Sequence, residues 1–411
     1  MELNETMGQL LSRAILFRQG PETLLGRLTA PKWEDRQAAL SELVSIAAKE
    51  GWQGNLWHCC LTQALAESEN PFSLACERRP APVDSLWELA LEDMELFYSL
   101  FALELNEGPW ELLRRFRVDR ARGDRQRMKL TETLEKAATP QAMLEGLCAF
   151  YRDRGVGLLG LGQVFRAEEK AGGARLFPVE DRPDVRLNDL VGYEKQKEQL
   201  RNNTLAFLKG GRGNNVLLYG DAGTGKSTSI QAIVNEYAPE GLRLIEVYKD
   251  QYELIPDILR QVKGRNYRFI LFLDDLSFEE NETAYKYLKA VMEGGAEAAP
   301  ENVRIYATSN RRHLVREMWN DRTDMEHDGD IHRSDTMEEK LSLASRFGLQ
   351  IFYPAPTFEE YQGIVSALAL RGGAGSKLTP AQLRAAAATW QVRSGSRSGR
   401  TARQFIDALD T

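Results

Sequence analysis

Val216-Leu-Leu-Tyr-Gly-Asp-Ala-Gly-Thr-Gly-Lys-Ser-Thr-Ser-Ile230 reads as an apolar strand, a glycine-rich turn and the opening of a helix. Within it, Gly220-Asp-Ala-Gly-Thr-Gly-Lys-Ser227 satisfies G-x-x-x-x-G-K-[ST] in the strand–loop–helix setting that the pattern needs. Gly220, Gly223 and Gly225 let the backbone curl until its N–H groups converge on phosphate oxygens, and the following helix adds its positive end. Lys226 is placed to neutralise the β- and γ-phosphates, and the Ser227 hydroxyl to ligate Mg²⁺. Asp221, Ala222, Thr224 and Thr228 complete the predicted phosphate-binding set.

A second acidic site follows at a suitable distance. Phe269-Ile-Leu-Phe-Leu-Asp-Asp275 is an apolar strand ending in two carboxylates. Asp274 is predicted to hold Mg²⁺ through water, and Asp275 to orient or polarise an attacking water. Around these two motifs, apolar runs at 216–219, 242–247, 269–273, 303–307 and 349–352 alternate with helical stretches at 227–237, 252–262, 283–293 and 337–345. Continuously apolar strands alternating with helices predict a doubly wound parallel sheet covered on both faces. This α/β core is expected over 186–355. Beyond it, 356–411 reads as a small helical lid.

Upstream, Leu and Trp recur at helical spacing from the start of the chain to about residue 151, cut by turn signals such as Asn70–Pro71. The expectation is an all-α N-terminal domain over 1–154. A hairpin and linker are expected over 155–185, with short strands at 161–166 and 175–179 joined by a polar turn.

The 411 residues carry a net charge of −7, which excludes a protein whose whole surface is a nucleic-acid platform. The four cysteines (Cys59, Cys60, Cys76 and Cys148) form no paired framework and read as buried thiols of a reducing compartment. The first twenty residues lack the basic and apolar regions of a signal peptide, and no run approaches 18 apolar residues. A cytoplasmic protein without a membrane association is expected.

At these residues the chain resembles AAA+ ATPases, over about 189–403. Leu190-Val-Gly-Tyr193 is similar to the segment lining the adenine pocket there, which implies Val191 and Gly192 as nucleotide contacts. Val303-Arg-Ile-Tyr-Ala-Thr-Ser-Asn310 resembles the strand ending in the sensor-1 residue, implying that Asn310 bonds the attacking water or the γ-phosphate. Leu343-Ala-Ser-Arg-Phe347 resembles the arginine-finger motif, implying that Arg346 acts on a neighbouring subunit's ATP in a homo-oligomer. Ser398-Gly-Arg-Thr-Ala-Arg-Gln-Phe405 resembles the lid helix with the sensor-2 arginine, Arg403 or alternatively Arg400. Leu271–Phe278, Tyr306–His313 and Glu339–Gly348 are more specific and look like the bacterial AAA+ group called domain-of-unknown-function family 815. The resemblance implies an ATPase using ATP and Mg²⁺ to remodel or load a macromolecular client, protein or DNA. Asp275 stands where most AAA+ members carry Glu; its carboxylate is one methylene shorter, so slow hydrolysis is expected. A nucleotide-gated switch acting by ATP occupancy is the alternative, and a small-molecule kinase the least supported reading.

Three weaker patterns complete the reading. Residues 111–129 are rich in arginine (Arg114, Arg115, Arg117, Arg120, Arg122, Arg125, Arg127), either a solvated face or a dock for acidic partners. Asp324–Asp335 partly matches a calcium loop but ends in Asp where a bidentate Glu is needed, so an exposed acidic insertion is expected. His58 beside Cys59 and Cys60 has no second ligand pair at zinc spacing and reads as core.

Overall fold

The structure, a computed structural model, describes residues 2–30, 32–78, 84–103, 110–118, 125–170, 173–179, 182–276, 282–292, 299–310, 344–372 and 378–410. The acidic stretch 324–335, the predicted helix at 337–343 and residues 119–124 of the arginine-rich run lie outside them. The chain divides into two compact units, Met1–Leu161 and Gly162–Thr411. Among the described residues no helix is long and apolar enough to cross a membrane.

The first unit is helical wherever it is described. Asn55, Asp84 and Thr139 cap its helices Leu56–Glu67, Ser85–Phe101 and Pro140–Arg154 by accepting backbone N–H bonds that the first turn cannot satisfy internally. Trp57, Phe17, Phe72 and Phe97 fill its core, with Phe17 edge-on to both other phenylalanine rings. Cys59 and Cys60 are buried there, and burial pushes the Cys59 thiol up to about 12, so it is held as an inert thiol. His58 Nδ1 lies 2.7 Å from Glu135 and Nε2 3.0 Å from the Phe101 carbonyl, so both ring nitrogens are occupied within the unit. The arginine-rich run does not form one face: Arg114, Arg115 and Arg117 are exposed, whereas Arg127 is buried.

One buried carboxylate organises the start of this unit. Asp93, 1% exposed, accepts the N–H groups of Ile15, Leu16 and Phe17 at 2.6–3.0 Å where the chain leaves helix Glu2–Arg13. Asp93→Ala strands three backbone donors, each of which would cost roughly 1–3 kcal/mol if left dry. The expected loss is about 3–5 kcal/mol, read as a lower denaturant midpoint with an unchanged slope.

The second unit is built on a seven-stranded sheet in the order β2-β1-β4-β5-β6-β3-β7. The strands are β1 Val164–Lys170, β2 Gly173–Pro178, β3 Val216–Gly220, β4 Leu242–Glu246, β5 Arg268–Leu273, β6 Val303–Ser309 and β7 Leu349–Tyr353. β3 to β7 are parallel to their neighbours, and their apolar side chains are enclosed by helices such as Glu194–Leu208 and Lys226–Tyr237. The hairpin forms, but not as a separate linker. β1 pairs parallel with β4 through Val164–Leu244, Phe165–Ile245 and Arg166–Glu246, and buries Val164, Phe165 and Ala167. Its strands also run through most of the predicted turn, because Glu168, Glu169 and Lys170 continue the antiparallel pairing with β2 beyond the end of the β1–β4 ladder, where all three are exposed. Three helices follow β7: Phe358–Gly372, Pro380–Ser394 and Gly399–Asp410. They pack on one another through Tyr361, Val365, Ala387, Phe405 and Ile406.

Strand order decides what meets at the carboxyl ends. β6 lies between β3 and β5, so the tip of β6 separates the glycine-rich turn after β3 from the two aspartates after β5. The crevice outside the strand ends is where doubly wound sheets place ligands.

Candidate functional site

The turn after β3 is glycine-dependent in two ways. Gly220 (φ 131°) and Gly225 (φ 92°) adopt backbone conformations that side chains rarely enter. A Cβ on Gly220 would stand 2.2 Å from the Tyr353 carbonyl oxygen, and one on Gly225 2.8 Å from Leu190. Lys226 opens the following helix and folds back over the loop. Its ammonium donates to the carbonyls of Gly220 (3.1 Å) and Asp221 (2.7 Å) and to Asn310 Oδ1 (3.0 Å). Burial pulls its pKa below the usual lysine value, opposed by Asp221, Asp275 and Asp274.

On the other side of the crevice, Ser227 donates to Asp274 Oδ1 at 2.6 Å, and Thr308 from β6 donates to the same oxygen at 2.5 Å. Asn310 Nδ2 donates to Asp275 Oδ1 at 2.7 Å. A continuous chain therefore runs from Lys226 through Asn310 to Asp275, and from Ser227 to Asp274. Ser227 and Asp274 offer hard oxygens side by side, a donor set that suits Mg²⁺ completing its shell with phosphate and water.

These groups line a cavity of about 660 Å³. Its polar wall is Gly223 to Thr228, Asp274, Asp275, Thr308 and Asn310, and its far side comes from Arg400 and Arg403 on the last lid helix. The remaining wall is mostly apolar, from Val185, Leu190, Val191, Tyr193, Ile364 and Leu368, with Asp189 and Gly399 beside them. Leu190 and Tyr193 pack against the sheet core while Val191 packs against the lid core, so this short segment joins the two. Both sensor-2 alternatives reach the cavity, and Arg400 is tied closer to the loop, since its backbone N–H donates to the Gly223 carbonyl at 3.3 Å. Gly220, Asp221 and Ala222 shape the loop from behind without lining the cavity, and Gly192 (φ 80°) provides a turn rather than a wall. Arg346 is exposed and is not among the residues lining the cavity.

Three residues, Thr308, Lys197 and Arg371, escape a sequence reading, and a fourth, Asp221, was expected in the phosphate loop but not for its contacts with the lid hinge. Thr308 stands two places before Asn310, on the same face of β6 by strand alternation, and that periodicity was the available signal. Lys197, 5% exposed, holds the apolar segment by donating to the Leu190 carbonyl at 2.8 Å. Arg371 of the lid donates to the carbonyls of Asp189 (2.6 Å) and Asn188 (2.9 Å), a bond between residues 182 or more apart that no local pattern announces. Asp221 ties the loop to the lid hinge. Its N–H donates to the Tyr353 carbonyl at 3.1 Å, and its carboxylate accepts the Ala355 N–H at 2.7 Å.

This fold and site define a P-loop module of the AAA+ type. The family model described as "Protein of unknown function (DUF815)" matches residues 162–411, and the chain belongs to that family. Among curated proteins, the chain is 26% identical over 204 residues to a proteasome-activating nucleotidase of Methanocaldococcus jannaschii, covering 46% of this chain and 45% of the relative. It is 34% identical over 73 residues to a replication factor C large subunit of Methanococcus vannielii, covering 18% of this chain and 15% of the relative. The chain thus spans less than half the length of these relatives. Among solved structures, the Thermotoga maritima RuvB Holliday junction branch migration motor matches at 16% identity, covering 55% of this chain and 72% of that one, with a TM-score of 0.34.

Proposed function

We propose that the chain binds ATP with Mg²⁺ in the cavity and hydrolyses it to drive conformational work on a macromolecular client. The observation that carries this reading is the convergence of Lys226, Ser227, Asp274, Asp275 and Asn310 on one crevice, opposite Arg400 and Arg403. The adenine lies against Leu190, Val191, Ile364 and Leu368, and the phosphates lie in the loop. Lys226 exchanges its carbonyl and Asn310 partners for phosphate oxygens, which frees Asn310 Oδ1 to accept from the attacking water, while the second Nδ2 hydrogen of Asn310 is available to the γ-phosphate. Ser227 and Asp274 hold Mg²⁺, which when bound neutralises charge building on the phosphates. Asp275 orients the water. Arg403, with Arg400 beside the loop, follows the phosphates as the lid closes, and Arg371 and Asp221 transmit that closure.

In this reading the chain assembles into a homo-oligomer in the cytoplasm and Arg346 completes a neighbour's site. The relatives named for activating a proteasome and for a replication factor support a macromolecular client in general terms, either protein or DNA. Hydrolysis is slow because the Asp275 carboxylate is held by Asn310. That same bond favours a second reading, a switch that acts by ATP occupancy.

Wild-type protein is expected to release phosphate from ATP in the presence of Mg²⁺, to stop on chelation, and to turn over faster per chain as concentration rises. ATP binding by a monomer with no phosphate release at any concentration would transfer the assignment to the switch.

A further inference from the structure

Asp275 has φ 54°, the left-handed conformation; among the described non-glycine residues only Tyr193 shares a positive φ. Aspartate tolerates that region better than longer side chains, because its short polar group bonds locally. The conformation is held by one residue of the neighbouring strand. The Asp275 N–H donates to Thr308 Oγ1 at 2.9 Å, and the Leu276 N–H donates to the Thr308 carbonyl at 2.7 Å. The same hydroxyl donates a hydrogen bond to Asp274 Oδ1 at 2.5 Å. Thr308 is 2% exposed, so its own side chain is shielded although the two aspartates it holds face the cavity.

We propose that Thr308 is a positioning residue for hydrolysis: its hydroxyl sets Asp274 and Asp275 as one rigid unit and fixes the left-handed turn that makes aspartate, and not glutamate, the residue suited to position 275. This deepens the proposed function and rests on it. A hydroxyl has one donor and can accept in addition, and here the donor serves the metal-side carboxylate while an acceptor lone pair pins the backbone of the water-side one. Ser227 reaches the same Asp274 oxygen from the loop. Thr308 therefore clamps β5 to β6 at the point where the reacting groups must hold their spacing. A glutamate at position 275 would have to accept the left-handed backbone or break the bond to Thr308. The short side chain is thus a consequence of the turn, and lengthening it does not improve the site.

The test compares Thr308→Val, Thr308→Ser and Asp275→Glu with wild type. Valine matches threonine in shape and suits a strand, so the core is retained while both side-chain bonds go. Misplacement of reacting groups by about an ångström lowers rate by about 10²-fold. Thr308→Val is accordingly expected to lose about 10- to 100-fold in kcat, with affinity for a fluorescent ATP analogue within threefold of wild type and a raised Mg²⁺ requirement. Thr308→Ser recovers most of the rate, and Asp275→Glu turns over more slowly than wild type. Hydrogen exchange on the nucleotide-free protein supplies a readout independent of turnover. In Thr308→Val the Asp275 amide exchanges faster while the Leu276 amide, bonded to a backbone carbonyl, stays protected. Loss of protection at both amides would mean simple fraying and would overturn the assignment, as would turnover of Thr308→Val within threefold of wild type or a gain of rate in Asp275→Glu. Absence of turnover in wild type overturns the hydrolytic reading itself, and is distinguished from these outcomes by being seen before any substitution.

Discussion

Lys226→Ala is expected to weaken ATP binding by about 10²–10⁴-fold and to abolish turnover. The ammonium is the single cation inside the loop, held by two loop carbonyls and Asn310 and only 5% exposed. In the proposed complex it exchanges those neutral partners for charged phosphate oxygens. Each such charge-assisted bond contributes roughly 1.5–3 kcal/mol, and two of them give the predicted range. The substitution also frees Asn310 from Lys226, so the Asn310–Asp275 bond remains without its anchor. Titration with a fluorescent analogue, alongside thermal unfolding, separates the outcomes. An unchanged affinity with an unchanged melting profile would show that phosphates do not sit in this loop.

Arg346→Ala is expected to leave binding intact and to reduce turnover by about 10³-fold or more, the scale typical of an arginine finger. Arg346 is exposed and does not line the cavity of its own chain, so in the proposed function it meets the phosphates bound by another copy. That geometry makes a mixing experiment decisive. Lys226→Ala subunits retain Arg346, and Arg346→Ala subunits retain the loop. Combined in equal amounts, they would create some sites with both groups present, so turnover should return to a measurable fraction of wild type although neither variant is active alone. Failure to complement, with oligomers confirmed by light scattering, would remove Arg346 from the site. A loss of ATP affinity in Arg346→Ala alone would point the same way.

Much of the second unit was legible from local pattern. The strands at 216–219 and 269–273 were visible because parallel strands enclosed on both faces are apolar throughout, and a run such as Phe269–Leu273 has no polar residue to mislead, whereas 349–352 at the sheet edge carries an exposed Gln350. The loop was visible because close backbone approach to phosphate demands glycine and because Lys226 and Ser227 directly follow Gly225 as the first residues of the helix. The hairpin was legible as two strands but not as an edge of this sheet. Glu168, Glu169 and Lys170 look like a turn in sequence, and become strand because they pair with Arg175, Ala174 and Gly173 in a hairpin that the earlier residues of β1 anchor to β4. Arg127 was grouped with exposed arginines because composition along a run cannot tell which face of a helix turns inward.

By itself, the sequence determined the class of the protein. Local chemistry is sufficient for that, since a phosphate loop, an acidic strand end and an amphipathic lid each depend on residues a few places apart. Only the tertiary structure decided how the site is assembled. Setting β6 between β3 and β5 brings Asn310 to Lys226, 84 positions away, and Thr308 to Asp275, 33 positions away. Arg371 reaches Asn188 across 183 positions. Such bonds follow from strand order, which is set by the global burial of apolar surface, and no local periodicity encodes it. The left-handed turn at Asp275 has the same origin: two aspartates in sequence leave the backbone free, and it is the neighbouring strand that holds it.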